Sequence, residues 1–173
     1  MNKIVFITGG CRSGKSSHAL HLANKKGGEK YFIATCIPYD DEMRKRVNAH
    51  KIERGAEFQT IETPILLVEN LTEISKKADI VIVDCLTLWI NNLLMEEKKD
   101  EKVIEHIQEL IKSIPKLKSD VIFVSNEVGC GIVPENQLAR RFRDLIGFIN
   151  QKLAASADLV IFMVSGIPVV IKG

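Results

Sequence analysis

The segment Gly9-Gly10-Cys11-Arg12-Ser13-Gly14-Lys15-Ser16 constrains the fold of this chain more than any other feature. It has the pattern G-x-x-x-x-G-K-S, which is typical of a phosphate-binding loop. An apolar, β-branched run precedes it at residues 4–8, and a run of good helix formers follows it at residues 17–23. Strand, glycine-rich loop and helix in this order are the context that the motif requires. The sequence therefore predicts a nucleoside-triphosphate site at this loop.

The residue types of the loop suit phosphate binding. Its glycines allow backbone N–H groups to turn inward around an anion. Lys15 supplies a mobile positive charge for the β- and γ-phosphates, and the Ser16 hydroxyl is placed to ligate Mg²⁺. We therefore expect residues 9–16 to bind the nucleotide, with Lys15 also acting in catalysis and Ser16 also binding the metal.

The composition favours one cytoplasmic domain spanning residues 1–173. The net charge of +2 gives no strong field that would attract nucleic acid. No apolar run reaches the roughly 20 residues of a membrane span, and the first predicted strand leaves no room for a signal peptide. None of the four cysteines forms a C-x-x-C pair, so we expect reduced thiols and no zinc site.

Apolar, β-rich runs alternate with helical patterns along the chain. Strands are predicted near residues 3–8, 30–35, 57–62, 80–84, 120–125, 159–164 and 168–172. Helices are predicted near residues 15–26, 40–54, 65–77, 86–97, 100–113 and 135–157. This alternation indicates an α/β fold with a mostly parallel sheet and helices on both faces. Only Ser165-Gly166-Ile167 separates the last two strands, so the last one should be an antiparallel edge strand.

Two helices carry apolar residues whose burial can be predicted. The core stripe of the longest helix is expected at Leu138, Phe142, Leu145, Ile149 and Leu153. Pro134 and Glu135 suit the first turn of that helix. Another helix carries Trp89, Ile90, Leu93 and Leu94, which belong either to the core or to an interface, and burial statistics favour the core.

A second nucleotide element is the apolar run of residues 80–83, which ends in Asp84. An aspartate at the end of a strand beside a phosphate-binding loop helps to hold hydrated Mg²⁺. The alternative is an ordinary strand-ending Asp that caps the next helix. No D-x-x-G follows Asp84 and no N-K-x-D occurs, which argues against a regulatory GTPase.

The segment of residues 38–55 predicts a basic helix that ends at Gly55. Arg46, His50 and Arg54 stand at i, i+4 and i+8, and so share one helix face. Cationic neighbours lower the pKa of an imidazole, and a neutral imidazole is a nucleophile. On this pattern alone, a solvated face is the more usual interpretation, and a catalytic histidine is the alternative.

Several further segments together carry a resemblance to a known family. They are residues 8–16, 33–35, 41–43, 46, 50, 54, 83–87, 125–129, 134–136, 138–140, 142–144, 150–151 and 164–166. The stretches T-G-G-x-R-S-G-K-S and N-E-V-G-x-G-I-V-P-E-N are more specific than a bare phosphate-binding loop. On these residues the chain resembles the bifunctional adenosylcobinamide kinase and adenosylcobinamide-phosphate guanylyltransferase family of cobalamin biosynthesis.

The resemblance implies a RecA-like, three-layer P-loop NTPase fold and a two-step activity. ATP or GTP phosphorylates adenosylcobinamide, and GMP then passes from GTP through a histidine to the adenosylcobinamide phosphate, which releases pyrophosphate. The matching histidine is His50. Mg²⁺ is the implied cofactor, and a homotrimer is the implied assembly. The implied nucleotide contacts outside the loop are Ala34, Thr35, Cys36, Lys51, Ile52, Glu53, Arg54, Glu62 and Asp84, with Asp84 also at the metal.

Two other functions remain open from the sequence. One is a small metabolite kinase that has the same loop but performs no nucleotidyl transfer. The other is a regulatory or assembly module that binds nucleotide without turnover. We also expect Asn126, Glu127 and the loop of residues 129–131 to contribute to the site, with either the corrinoid or a phosphate as their partner.

Overall fold

A mostly parallel β-sheet organises the chain. The computed structural model describes residues 2–97 and 99–173, except for the side chains of Met43, Arg46, Asn48, Ala49, His50 and Glu53. Its strands are β1 (Ile4–Gly9), β2 (Lys30–Ala34), β3 (Phe58–Glu62), β4 (Ile80–Asp84), β5 (Asp120–Val124), β6 (Leu159–Val164) and β7 (Ile167–Lys172). Within this described part, they form one sheet in the order β3-β2-β4-β5-β1-β6-β7. Strands β1 to β6 run parallel, and β7 pairs antiparallel with β6.

The helices follow the predicted alternation closely. They are α1 (Lys15–Asn24), α2 (Asp41–Arg54), α3 (Leu67–Ser75), α4 (Leu86–Glu96), α5 (Asp100–Ser113) and α6 (Gln137–Ser156). A short 3₁₀ turn at Ile114–Lys116 follows α5 and was not predicted. Gly55, with a φ of 70°, ends α2 as expected. No helix within the described residues is both long and apolar enough to cross a bilayer.

Alternating side chains of the strands divide the core between the two faces of the sheet. In β1, Ile4 and Phe6 pack with apolar residues of α3, α4, α5 and α6. Val5 and Ile7 of the same strand face the opposite way and pack with Ala19, Leu20 and Ala23 of α1. This is the period of two that a strand imposes. The prediction of helices on both faces is therefore confirmed.

The start of α6 differs from the prediction. Pro134 and Glu135 precede the helix and do not form its first turn, because Asn136 caps it by accepting a hydrogen bond from the Ala139 N–H at 3.0 Å. The predicted core stripe is also too long. Leu145, Ile149 and Leu153 are buried and Phe142 packs partly against the core, but Leu138 in the first turn is 41% exposed.

The other hydrophobic predictions can be checked in the same way. In α4, Trp89, Ile90 and Leu93 are fully buried and Leu94 is 7% exposed, so the core interpretation is confirmed. The turn before β7 is shorter than predicted. Ser165 and Gly166 form it with φ values of 50° and 85°, as two-residue hairpin turns require, and Ile167 already belongs to the strand.

The strand that carries Asp84 does not lie directly beside the strand that precedes the phosphate-binding loop. Strand β5 is inserted between β1 and β4. The sequence analysis expected the strand of Asp84 to lie beside the loop, but one strand, β5, separates β4 from β1. The inserted strand brings the residues that follow it, from Ser125 onward, between the loop and Asp84.

Gly9 makes a close approach that only glycine allows. It pairs with Met163 of β6, its φ is 145°, and a Cβ there would lie 2.4 Å from the Met163 carbonyl oxygen. A Cβ at Gly10 would have no heavy atom within 4 Å and would occupy an ordinary φ region. The two neighbouring glycines therefore have different structural roles.

We expect Gly9→Ala to lower the free energy of unfolding by about 2 kcal/mol or more, because it combines backbone strain with a clash against a carbonyl. Gly10→Ala is the matched control and should leave stability within about 0.5 kcal/mol. Urea unfolding of the nucleotide-free protein measures both variants. Equal stability of the two variants would contradict the close packing of β1 on β6.

Candidate functional site

A cavity of about 780 Å³ opens at the carboxyl ends of the parallel strands. The strands end in a row: Glu62 on β3, Ala34 on β2, Asp84 on β4, and the phosphate-binding loop after β1. Ligands of open α/β sheets bind at this edge. The predicted site residues that line the cavity are Cys11, Arg12, Ser13, Gly14, Lys15, Ser16, Ala34, Cys36, Lys51, Arg54, Glu62 and Asp84.

The loop after β1 is held in a defined shape. Arg12 and Gly14 have positive φ values of 55° and 90°. The Ser13 N–H donates to the Gly10 carbonyl at 3.3 Å, and the Ser13 carbonyl accepts from the Gly166 N–H at 3.1 Å. Helix α1 begins directly after this turn, so its N-terminal end is directed at the same cavity. A curved loop followed by a helix N-terminus favours the binding of an anion.

Lys15 lies at the bottom of the loop and is 7% exposed. Its Nζ donates to the Gly10 carbonyl at 2.6 Å and lies 3.4 Å from the Ser13 Oγ. Burial lowers the pKa of Lys15, and the neighbouring acidic groups of Cys85, Asp84 and Cys11 oppose this shift. A desolvated ammonium group binds a phosphate more strongly than an exposed one, because there is less water to screen the charge.

Ser16 and Asp84 both line the cavity. Within residues 2–97 and 99–173 there is no group of three or more His, Cys, Asp or Glu side chains that could enclose a metal ion alone. One hydroxyl and one carboxylate fit Mg²⁺, which usually takes one or two protein ligands and completes its shell with phosphates and water. The residues present therefore fit a metal that arrives with a nucleotide.

Thr35 fastens the ends of β2 and β4 to each other. Its hydroxyl donates to the Cys85 carbonyl at 2.7 Å and accepts from the Cys85 N–H at 2.9 Å. Its carbonyl accepts from the Asn92 side chain at 2.8 Å. Thr35 is fully buried and does not line the cavity. The structure thus gives it a bracing role, and its contact with nucleotide stays a prediction.

The opposite end of the cavity combines a cation with an aromatic ring. The Arg54 guanidinium lies 4.0 Å from the centre of the Phe32 ring, and the residue is 7% exposed. Burial lowers the pKa of Arg54, while Asp84 and Glu62 act in the opposite direction. Lys51 pairs with Glu62 at 2.8 Å at the cavity rim. An arginine stacked on a ring is a rigid donor that suits a nucleotide.

The comparison with known proteins agrees with this geometry. A model of the cobinamide kinase / cobinamide phosphate guanyltransferase family matches residues 5–171. The chain belongs to this family. The bifunctional adenosylcobalamin biosynthesis protein CobU of Salmonella typhimurium is 41% identical over 181 residues, covering 98% of this chain and 99% of its own length. The bifunctional adenosylcobalamin biosynthesis protein CobP of Pseudomonas aeruginosa is 37% identical over 167 residues, covering 96% of each chain.

Solved structures outside the family share the fold at low identity. A prototypical ATPase from the type III secretion system of pathogenic bacteria has a TM-score of 0.62 at 13% identity, covering 94% of this chain and 52% of that one. The RadB recombinase has a TM-score of 0.54 at 14% identity, covering 92% and 73%. These likenesses show the fold alone, and they confirm the predicted RecA-like P-loop fold.

Some predicted site residues of this family member do not line the cavity. Gly9 and Gly10 belong to the phosphate-binding loop but are not among the residues that line the cavity. Ile52 does not line it either and is 82% exposed on α2. The side chains of His50 and Glu53 lie outside the described residues. Their contacts, like those of Ile52, stay predictions.

The cavity also includes residues that sequence reasoning did not assign to the nucleotide site. They are Ser17, Phe32, Pro38, Arg44, Val47, Cys85 and Leu88. Arg44 and Val47 precede Lys51 and Arg54 at i, i+3, i+7 and i+10, so helical periodicity would have found them once Arg54 was placed. The sequence did not indicate Phe32, because it lies in β2 among apolar residues that are typical of any buried strand.

We expect nucleotide to protect Cys11 from alkylation. Cys11 is exposed and lines the cavity, whereas Cys130 is exposed and does not line it. Burial, with a contribution from Asp84, raises the pKa of Cys85 to about 12, so Cys85 should stay unmodified at pH 8. Mass spectrometry after iodoacetamide treatment, with and without GTP and Mg²⁺, measures each site. If Cys11 and Cys130 were protected equally, the nucleotide would not occupy this cavity.

Proposed function

We propose that this chain is a bifunctional enzyme of cobalamin biosynthesis. It phosphorylates adenosylcobinamide with ATP or GTP, and it then transfers GMP from GTP to the adenosylcobinamide phosphate to give adenosylcobinamide-GDP. The observation that carries the proposal is one cavity that joins the phosphate-binding loop to the face of α2 bearing Val47, Lys51 and Arg54. Family membership supports both activities.

In the first step, the hydroxyl oxygen of the aminopropanol arm attacks the γ-phosphorus. An oxygen–phosphorus bond forms, the bond to the bridging oxygen breaks, the nucleoside diphosphate leaves, and the hydroxyl proton is released. The loop amides and Lys15 hold the phosphates in line and offset the charge that develops on them. Mg²⁺, for which Ser16 and Asp84 are the proposed ligands, would supply further compensation of phosphate charge.

In the second step, we assign the nucleophile to His50. A neutral imidazole nitrogen attacks the α-phosphorus of GTP, pyrophosphate leaves, and a phosphorus–nitrogen bond holds GMP on the histidine. The phosphate of adenosylcobinamide phosphate then displaces the imidazole and takes up GMP. The backbone of α2 supports the assignment, because position 50 is one helical turn from both Val47 and Arg54, which line the cavity.

The rest of the nucleotide set predicted from the sequence is proposed on the same basis. Glu62 and Lys51 lie at the end of the cavity away from the loop, where a base or ribose would reach if the phosphates occupy the loop. The Glu62 carboxylate can accept hydrogen bonds from guanine N–H groups or ribose hydroxyls. Ala34 and Cys36 lie between the two ends.

Labelling with two forms of GTP tests the histidine. We expect α-labelled GTP with Mg²⁺ to give the protein an acid-labile, base-stable label, which His50→Ala abolishes. His106→Ala, on α5, is the matched control and should keep the label. His50→Ala should still transfer γ-phosphate to adenosylcobinamide, because the phosphate-binding loop is intact.

Two results would contradict this assignment. Persistent α-label in His50→Ala would exclude His50 as the nucleophile. Transfer of γ-phosphate by the wild-type protein without any α-label would instead support the alternative of a small metabolite kinase.

We further propose that the chain forms a cytoplasmic homotrimer, as the family resemblance implies. Strand β7 supports association, because all of its residues are exposed and it leaves Ile167, Val170 and Ile171 uncovered at the sheet edge. An apolar edge strand of this kind is a common site of chain association.

Light scattering should give three times the 19.4 kDa mass of the chain. The mass should not change between micromolar and higher protein concentrations. A mass equal to one chain would contradict the proposed assembly.

A further inference from the structure

Asn126 occupies a special place in the row of strand ends. It follows β5, the strand that lies between β4 with Asp84 and β1 with the phosphate-binding loop. Adjacent strands lie about 4.8 Å apart, so Asn126 is one strand from the loop and one from Asp84, whereas Glu62 on β3 is about 14 Å away. Asn126 lines the cavity together with Lys15 and Asp84. Its neighbourhood is therefore the phosphate end of the site.

The backbone of Asn126 is held from both sides by side chains. Its N–H donates to the Thr87 Oγ1 of α4 at 2.8 Å. Its carbonyl accepts from the Asn150 Nδ2 of α6 at 3.1 Å. The residues on either side of it bond to β1: Ser125 N–H donates to the Ile7 carbonyl at 3.0 Å and Glu127 N–H to the Gly9 carbonyl at 2.9 Å. Position 126 is thus fixed by two helices and by the strand that leads into the loop.

The side chains that hold Asn126 are buried, and one of their polar atoms is unpaired. Thr87 and Asn150 are 6% and 9% exposed. The Asn150 Oδ1 is buried and has no hydrogen-bond partner among the described residues. A buried oxygen without a hydrogen-bond partner is destabilising. Buried polar groups that are retained at such a cost are consistent with a role in holding another group in place.

The side chain of Asn126 is half-buried, and its amide makes no hydrogen bond to any described residue. The backbone of Asn126 is therefore fixed, while its side-chain amide can donate a hydrogen bond to a ligand in the cavity. Lys15 and Asp84 line the same cavity, and β5 lies between the strands that lead to them. A phosphate in the loop has non-bridging oxygens that need donors. A neutral amide supplies one without adding negative charge beside Asp84.

We propose that Asn126 is a catalytic residue whose side-chain amide donates a hydrogen bond to the γ-phosphate of the bound nucleotide. Thr87 and Asn150 are positioning residues that act through its backbone. The inference rests on the proposed function, since the γ-phosphate is the group transferred in the first step. As the acceptor oxygen bonds to the γ-phosphorus and the bridging oxygen leaves with the nucleoside diphosphate, the amide stabilises charge on a γ-oxygen.

Nucleotide affinity gives the first test, and it requires no turnover. Asn126→Ala should weaken the binding of Mg²⁺–GTP by about 10- to 100-fold, the loss of one hydrogen bond to a charged group, while the binding of Mg²⁺–GDP stays unchanged. Asn126→Asp is nearly isosteric and should weaken GTP binding more than Asn126→Ala, because its carboxylate repels the γ-phosphate. Equal effects on GTP and GDP, or no effect in either variant, would overturn the proposal.

Turnover gives the second test. In Asn126→Ala, kcat for γ-phosphoryl transfer to adenosylcobinamide should fall about 100-fold or more, the usual effect of losing one donor to a transition-state oxyanion. Formation of the α-label on the protein should fall less than 10-fold, because there the γ-phosphate is only part of the leaving group. Equal losses in both reactions would overturn the assignment to the γ-phosphate. If the wild-type protein did not phosphorylate adenosylcobinamide, the proposed function would fail, while the GTP-to-GDP affinity ratio would still test Asn126.

Thr87 provides a conservative pair for the positioning role. Thr87→Val removes the oxygen that accepts from the Asn126 N–H, and Thr87→Ser keeps it. We expect Thr87→Val to lower kcat for γ-transfer at least 10-fold and Thr87→Ser to stay within about 2-fold of wild type. In the double variant Thr87→Val, Asn126→Ala the losses should not multiply, because both act on the same amide. Similar kcat values for the two Thr87 variants, or multiplying losses, would contradict positioning through Asn126.

Discussion

The parallel direction of neighbouring strands is the constraint on which the site depends. Among the described residues, β3, β2, β4, β5 and β1 all end at the same edge of the sheet, so residues far apart in sequence meet there. Glu62, Ala34, Asp84 and Asn126 come from different strands, yet they form one row that ends at the phosphate-binding loop. The hydrophobic faces of the same strands pack on α1 and on α3 to α6, and the hydrogen-bonded ladder pairs Ala34 with both Glu62 and Asp84, so packing and strand pairing together fix the row.

Opposite charges alternate across the cavity that this row lines. The Lys15 ammonium and the Arg54 guanidinium are both 7% exposed, and burial lowers the pKa of each. Asp84 acts in the opposite direction on both cations. Three further cations, Arg12, Arg44 and Lys51, line the cavity against one further carboxylate, Glu62, so the cavity has a net positive charge before a nucleotide binds. A triphosphate with a divalent metal can complete the charge balance.

The sequence predicted the fold class, the strand and helix order and the loop, because these depend on local patterns and on one specific motif. Two errors share a physical cause, which is competition between nearby signals. Asn136 caps α6 in place of the expected first turn at Pro134 and Glu135, and the apolar residue Leu138 then falls in an exposed turn. The order of the strands in the sheet could not be predicted, because it depends on contacts between residues far apart in the sequence. Asn126 was expected at the site with either the corrinoid or a phosphate as its partner, and the insertion of β5 between β1 and β4 is what places it beside the phosphate-binding loop.

Unpaired polar atoms border the site from two directions and support a functional explanation of its packing. The Arg54 Nε and the Asn150 Oδ1 are buried without a hydrogen-bond partner among the described residues. At position 54 stability alone would favour an apolar group, because an unpaired buried polar atom has a desolvation cost. At position 150 an apolar group would instead leave the Asn126 carbonyl without its donor. Arg54 lies against Phe32 inside the cavity, where a nucleotide can supply the missing acceptor. Asn150 instead holds the Asn126 backbone, and the hydrogen bond from its Nδ2 to the Asn126 carbonyl offsets part of the cost of its unpaired Oδ1. The two residues therefore have different roles: the Arg54 Nε can donate to a bound nucleotide, whereas the Asn150 side chain positions Asn126.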